Sequence, residues 1–231
     1  MLILDVKKQI DSESGLAVLR ANIEISTSTI SGLYGSSGQG KSTLFNMISG
    51  IVKPDHGTIS FNGKIWHSSK EQVSIKKRNI GYIFQGNSLF SHFNVKQNVL
   101  FALSKEERKE FNLSPFLEQL GLSKMINRYP HELSGGQLQR VAIARALAQK
   151  AQLILMDEPF TGLDIENKHR LYKELETFQK RYNLTIIIIT HDVNDIYYLC
   201  DKVYRIENHT VQPAITNAQF REKIEERISR L

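Results

Sequence analysis

The sequence predicts an α/β fold: a parallel-sheet core, a small N-terminal antiparallel β subdomain and an inserted helical lobe. Three observations carry this prediction. Thr29 to Tyr34, Leu153 to Met156 and Thr185 to Thr190 are largely continuous apolar runs, the pattern of strands covered on both faces of a parallel sheet. Asn62-Gly63, within Ile59 to Trp66, suits the positive φ angles of a type I′ hairpin turn. Between Asn87 and Lys150 the pattern turns helical.

Residues 1–34 read as short strands, and the hairpin around Asn62-Gly63 extends them into a small antiparallel sheet. Trp66 in that hairpin reads as packed core rather than as a platform for a base. Lys76-Lys77-Arg78 is the densest basic run and reads as a solvated surface ahead of a strand at Ile80. Ser114-Pro115 starts a helix that Gly121 ends, and Ser134 caps one running through Val141, Ile143, Ala144, Leu147 and Ala148. The tail from Thr216 to Leu231 reads as an amphipathic helix. No repeat or low-complexity linker interrupts the 231 residues, so a single domain is expected over 1–231. Residues 1–86 and 151–215 form its core with the β subdomain, 87–150 the helical lobe and 216–231 the tail helix.

The chemistry gathers at the carboxyl ends of the three apolar strands, where parallel sheets bind ligands. Gly35-Ser36-Ser37-Gly38-Gln39-Gly40-Lys41-Ser42-Thr43 fits G-x-x-x-x-G-K-[ST] between a strand and a helix rich in Leu44, Phe45 and Ile48. Such a loop turns backbone N–H groups and a helix N-terminus toward phosphates, which makes the core a P-loop NTPase. Lys41 is expected on the β- and γ-phosphates, Ser42 on Mg²⁺ through its hydroxyl, and Thr43 on the α-phosphate side. Asp157 and Glu158 close the second strand. Asp157 suits Mg²⁺, a hard ion that takes oxygen ligands, and Glu158 stands where it can deprotonate an attacking water. His191 ends the third strand, within reach of a γ-phosphate. Gln85 ends Gly81-Tyr-Ile-Phe84 and is expected to sense Mg²⁺ or the water.

Leu133-Ser134-Gly135-Gly136-Gln137 is a second small-residue turn opening a helix. With it, the chain resembles the nucleotide-binding subunit of an ATP-binding cassette (ABC) transporter over roughly residues 1–210. The order matches: phosphate loop at Gly35, glutamine loop at Gln85, signature at Leu133, Asp157-Glu158, D-loop at Thr161-Gly-Leu-Asp164 and switch histidine at His191. The resemblance implies that ATP with Mg²⁺ is bound and hydrolysed. It implies a head-to-tail pair with a second copy or a homologous ATPase, with Ser134, Gly135, Gly136 and Gln137 closing on the nucleotide of the facing subunit. Asp164 would then contact the partner across the seam. It further implies that Leu89-Phe-Ser-His-Phe93 receives a helix from membrane-embedded permease subunits, at the cytoplasmic face of the membrane.

Two features depart from that family. It stacks adenine on an aromatic of the N-terminal sheet, yet no aromatic precedes Tyr34 here. Ile10 or Leu16 would replace it, and base discrimination should be weak, with GTP supporting a useful fraction of ATP turnover. Thr161 and Gly162 are mild variations of the D-loop. Ile80 to Phe101 and Asn127 to Leu133 look closest to importer ATPases of the molybdate and sulfate group, so an oxyanion importer is expected. The alternative within the family is a soluble ATPase serving DNA repair or translation. A small P-loop kinase would leave the signature and His191 unexplained.

Composition narrows the remaining classes. The net charge of +6 suits anionic partners, but the scattered charges form no stripe for a nucleic-acid duplex, so direct nucleic-acid binding is not expected. No apolar run approaches the ~20 residues of a bilayer span, so membrane contact should come through the permease. Cys200 is the sole cysteine, which suits a reducing compartment, and the histidines lack metal-ligand spacing. Asn183 and Asn208 sit in chance-level glycosylation triplets.

Overall fold

A computed structural model describes residues 1–12, 15–86 and 89–228, so Asn87, at the start of the expected lobe, and the last three residues of the tail lie outside it. Two long strands, β1 (Leu2–Ser12) and β2 (Gly15–Ile25), open the chain as an antiparallel pair of 11 residues each, longer than the short strands expected. Their buried positions alternate, Leu2, Leu4 and Val6 on one strand and Leu19, Ala21, Ile23 and Ile25 on the other, so one face packs and one meets water. Strand β3 (Ile30–Tyr34) feeds the glycine loop, and helix α1 (Lys41–Ser49) follows it. Strands β4 (His56–Phe61) and β5 (Lys64–His67) make the hairpin, with Asn62 and Gly63 at φ +50° and +76°. Those signs are what a type I′ turn requires.

The one-turn helix α2 (Ile75–Arg78) leads into β6 (Ile80–Ile83). Here the sequence expectation needs correction. Lys76 and Lys77 are exposed, but Arg78 is buried. Its guanidinium donates to the carbonyls of Met47, Ile48, Trp66 and Val73 and lies 5.6 Å from the centre of the Trp66 ring. Met47 and Ile48 lie in the last turn of α1, whose carbonyls carry partial negative charge; that of Met47 also accepts from the Gly50 N–H. A planar five-donor cation answers several of them at once, which outweighs the cost of its burial.

Helices α3 (Val95–Leu100), α4 (Lys105–Glu110), α5 (Leu113–Gln119) and α6 (Gly135–Ala148) follow, three of them opened by capping boxes at Asn94, Ser104 and Ser134. Helix α5 starts ahead of Ser114, which leaves Pro115 in its first turn, where the missing N–H costs nothing. Leu89 to Phe93 is a turn rather than the start of a helix: Phe90 packs on Phe93 and Phe101, and buried Asn98 bonds the backbone of Phe90, Phe93 and Asn94.

The chain then alternates β7 (Leu153–Asp157), α7 (Ile165–Tyr182), β8 (Thr185–Thr190), α8 (Val193–Leu199) and β9 (Lys202–Glu207). Short strands β10 (Thr210–Val211) and β11 (Ile215–Thr216) lead to α9 (Asn217–Ile228). The described strands run in the order β5-β4-β1-β2-β10-β9-β3-β8-β7-β6, with β11 beside β9. From β9 to β6 all neighbours are parallel.

Both faces of this parallel sheet are covered. Leu153, Leu155, Ile187 and Ile189 join one core with α1 and the antiparallel sheet, including Trp66 against Phe61. Ile154, Met156, Ile186 and Ile188 point the other way, into a second core with α3, α5, α6, α7 and α8. The crossovers therefore aim the carboxyl ends of β3, β7 and β8 at one edge. Among the described residues no helix is long and apolar enough to cross a membrane.

Candidate active site

At that edge lies a cavity of about 430 Å³ lined by Ile10, Asp11, Ser37, Gly38, Gly40, Lys41, Ser42, Thr43, Gln85, Asp157, Glu158, Ile189 and His191. Four of its segments meet because β3, β8 and β7 are neighbours and β6 pairs with β7, and the end of β1 adds Ile10 and Asp11 as a fifth. Gly38 and Gly40 adopt φ of +77° and +96°. At Gly40 a side chain would also meet Ile10 and Leu19 at 3.2 Å, so both the turn and the packing demand glycine. Lys41 begins α1, and its ammonium curls back to donate to the carbonyls of Gly35 (2.7 Å) and Ser36 (2.8 Å). Burial lowers its pKa, against the pull of Glu158 and Asp157, so a phosphate entering the loop meets a cation already stripped of much of its water.

Gly35, Ser36 and Gln39 stand behind the cavity wall. A Cβ on Gly35 would strike the Ile206 carbonyl, and the Gln39 side chain accepts from the His209 N–H at 3.1 Å. These residues shape the loop from outside.

Asp157 is buried at the end of β7. Burial raises its pKa; the Ser42 hydroxyl, hydrogen-bonded to it, works the other way, and Glu158 adds a like charge. Glu158 sits at φ +49°, the left-handed region that a glutamate rarely adopts, while its N–H holds the Ile189 carbonyl at 2.9 Å. That twist turns its carboxylate away from the strand line, and Oε1 lies 2.8 Å from His191 Nδ1. The Glu158 side chain is 11% exposed and that of His191 is 67% exposed. Gln85 also lines the cavity and is exposed. Of the two aliphatic candidates for the base, Ile10 lines the cavity, while Leu16 is 73% exposed and lies outside the lining.

Ser134 to Gln137 are absent from this cavity. They open α6, where Gln137 Oε1 accepts from the Ser134 N–H at 3.0 Å and the Gln137 N–H approaches Ser134 Oγ at 3.4 Å. Gly135 packs against Leu163, where a Cβ would sit 2.7 Å from its side chain. The next residue, Asp164, caps α7 by accepting from the Asn167 N–H at 2.8 Å. The signature turn and the D-loop are thus contiguous on one chain, apart from that chain's own phosphate cradle.

Residues 18–161 match the family described as ABC transporter. The chain belongs to the ABC transporter family. The molybdenum import ATP-binding protein ModC of Haemophilus influenzae is 37% identical over 92% of this chain and 59% of its own length. ModC of Aliivibrio fischeri is 37% identical over 91% of this chain and 57% of its own. The chain therefore spans less than two thirds of the length of these curated relatives. Among solved structures, cbiO1 of Clostridium perfringens, part of an ABC transporter complex, matches with a TM-score of 0.82 at 32% identity, covering 96% of this chain and 91% of that one. The ATP-binding cassette MJ0796, a dimer bound to ADP and Pi in a post-hydrolysis state, matches at 0.75 and 29% identity, covering 94% of this chain and 99% of that one.

The residues of this ABC cassette fit a magnesium nucleotide. The glycine turn leaves open space at Gly38 where a Cβ would point. A hydroxyl and a buried carboxylate, Ser42 and Asp157, form the hard-oxygen set that Mg²⁺ prefers. Behind the site lies a polar network that the sequence reading missed. Tyr172 and Thr190 donate to Asp195, each at 2.5 Å, and Lys168 donates to Asp192 (2.6 Å) and Asp195 (3.3 Å). In sequence these are ordinary helix charges. Only the packing of α7 on α8 turns them inward.

Proposed function

We propose that this chain is the ATP-binding and ATP-hydrolysing subunit of an ABC importer for a small oxyanion, working as a head-to-tail pair at the cytoplasmic face of the membrane. The observation that carries the reading is the division of labour within one chain. Phosphate cradle, acidic pair, Gln85 and His191 share one cavity, whereas the signature turn faces elsewhere beside Asp164. A signature turn on a second copy completes the cavity, as the dimeric cassette relative suggests.

In the closed pair, the N–H groups of the glycine loop and the Lys41 ammonium bind the β- and γ-phosphates. Ser42 and Asp157 would hold Mg²⁺, which when bound would neutralise charge on the phosphate oxygens. Gln85 orients the attacking water and would help to sense the ion. Glu158 takes the proton of that water as its oxygen bonds to the γ-phosphorus and the bond to the bridging oxygen breaks, releasing ADP and phosphate. His191 holds Glu158 and meets the γ-phosphate edge. Ser134 and the N–H groups of Gly135 and Gly136 clamp the same phosphate from across the seam, with Asp164 beside them. Loss of the γ-phosphate removes the clamp's anion and lets the halves part.

The motion reaches the membrane through an apolar groove of about 660 Å³ that includes Phe84, Leu89, Phe90 and Phe101. Phe84 stacks on Tyr82 one residue before Gln85, which ties the groove to the nucleotide site. The groove receives a permease helix. The ModC relatives support an oxyanion, molybdate or one like it, as cargo.

Purified chain should hydrolyse Mg·ATP, and co-expression with a permease and a solute-binding protein, sought in neighbouring reading frames, should restore molybdate uptake to cells lacking an importer. Absence of hydrolysis sinks the enzymatic reading. Hydrolysis with uptake of some other solute sinks only the cargo.

A further inference from the structure

We propose that Lys168 is a positioning residue that locks the His191 turn to the first turn of α7, so that engagement of Asp164 by the partner copy sets the aim of His191 and Glu158. The proposal rests on the roles given above to those three residues.

His191 has little packing of its own to hold it. Its side chain is largely exposed, and its Nδ1 lies 2.8 Å from Glu158 Oε1. Its aim must come from the backbone on either side, and both sides are tied down. Thr190, before it, is fully buried, and its hydroxyl accepts from the Asp192 N–H (3.0 Å) while donating to Asp195 Oδ2 (2.5 Å). Asp192, after it, accepts from the Asn194 N–H at 2.9 Å and so opens α8. One ammonium joins these flanks: Lys168 Nζ reaches Asp192 Oδ2 at 2.6 Å and Asp195 Oδ1 at 3.3 Å.

Asp195 is 3% exposed, and a carboxylate so placed needs close partners. Tyr172, one turn beyond Lys168 on α7, donates to the Asp195 oxygen that Lys168 also reaches. Burial disfavours the Lys168 charge, but the two aspartates outweigh it and hold its pKa above the usual lysine value; Asp192 is correspondingly held low. The pair stays charged across the neutral range.

The other end of the lever is Asp164. The Lys168 N–H donates to the Asp164 carbonyl at 2.9 Å, closing the first turn of α7. A displacement of the Asp164 cap therefore moves the backbone that carries Lys168, and the ion pair passes it to both neighbours of His191. The sides of the composite site that face the partner and the γ-phosphate are thus one hydrogen-bonded unit.

A stabilising bridge between α7 and α8 would explain the same contacts, so the test must separate position from stability. Steady-state ATPase kinetics of wild type, Lys168→Met, Lys168→Arg and Glu158→Gln are compared, with thermal melting of each. Misplacing a catalytic group by about 1 Å can cost up to ~100-fold in rate, so Lys168→Met should lower kcat by roughly 10- to 100-fold. KM for ATP should stay within about twofold, and Lys168→Arg should recover most of the rate, because Arg can still pair with both carboxylates. An unchanged kcat in Lys168→Met overturns the proposal. So does a rate loss that Lys168→Arg fails to recover, or one accompanied by an equal rise in KM. If Lys168→Met does not fold, Asp195→Asn is read by the same kcat and KM criteria. Inactive wild type, or Glu158→Gln turning over normally, would instead sink the proposed function.

Discussion

Glu158 and His191 are joined by a 2.8 Å contact between Oε1 and Nδ1, made possible by a glutamate backbone in the left-handed region at φ +49°. The backbone conformation is costly, roughly 1–3 kcal/mol, and is held by the bond from the Glu158 N–H to Ile189. Two residues that share one task give non-additive losses. Glu158→Gln should lower kcat by about 10²- to 10⁴-fold with ATP still bound, and His191→Ala by less. The double variant should be no slower than Glu158→Gln alone. Multiplicative losses would show that the two act separately.

In the proposed mechanism Asp157 exchanges stability for magnesium. Burial raises its folded pKa above the unfolded value, so the native fold holds the proton more tightly than the unfolded chain does. Deprotonation then costs folding free energy, starting near the ordinary carboxylate range and complete once pH exceeds the folded value. Asp157→Asn should melt higher than wild type at pH 7 without nucleotide, with the gain shrinking as pH approaches 4. The same variant should lose Mg²⁺-dependent turnover. A lower melting temperature at pH 7 would contradict this reading of the site.

Ile10 lines the cavity, and an aliphatic side chain cannot stack on a base as an aromatic does. GTP should support a useful fraction of the ATP rate at saturation. Ile10→Tyr should tighten ATP binding by roughly fivefold, matching about 1 kcal/mol for stacking on an aromatic. Strict ATP preference in the wild type would place base recognition elsewhere.

Arg78 is a structural prediction of a different kind. Arg78→Met removes the side-chain donor to four backbone carbonyls, of which Met47 keeps the Gly50 N–H and Trp66 the Val73 N–H, and should cost about 2–4 kcal/mol, or a fall of about 4–16 °C in Tm. Arg78→Lys should recover only part of it, since a single ammonium cannot fork to four acceptors. KM for ATP should hold. An unchanged Tm would mean the carbonyls find other partners.

These cases mark what was legible in the chain and what was not. Strands β3, β7 and β8, the Asn62-Gly63 turn and the Ser134 cap follow from local pattern, because burial on both faces, positive φ and an unpaired helix N-terminus each select residue types directly. The phosphate loop and acidic pair could be assigned to one edge because parallel strands end together. Arg78 was not legible: a cation in a run of three looks solvated until the end of α1 stands over it. The turn at Leu89 to Phe93 was missed as well, since its shape depends on Asn98 eight residues past Phe90. Lys168, Tyr172 and Asp195 escaped for the same reason, being a set only after two helices pack.

The central claim is that each nucleotide site needs residues from two chains, and dilution tests it most directly. ATPase rate per chain should fall as the protein is diluted through its pairing range. Ser134→Arg should abolish turnover at every concentration while leaving ATP affinity of the single chain within about threefold, because Ser134 lies outside that chain's own cavity. A rate per chain that is independent of concentration and survives Ser134→Arg would contradict the account.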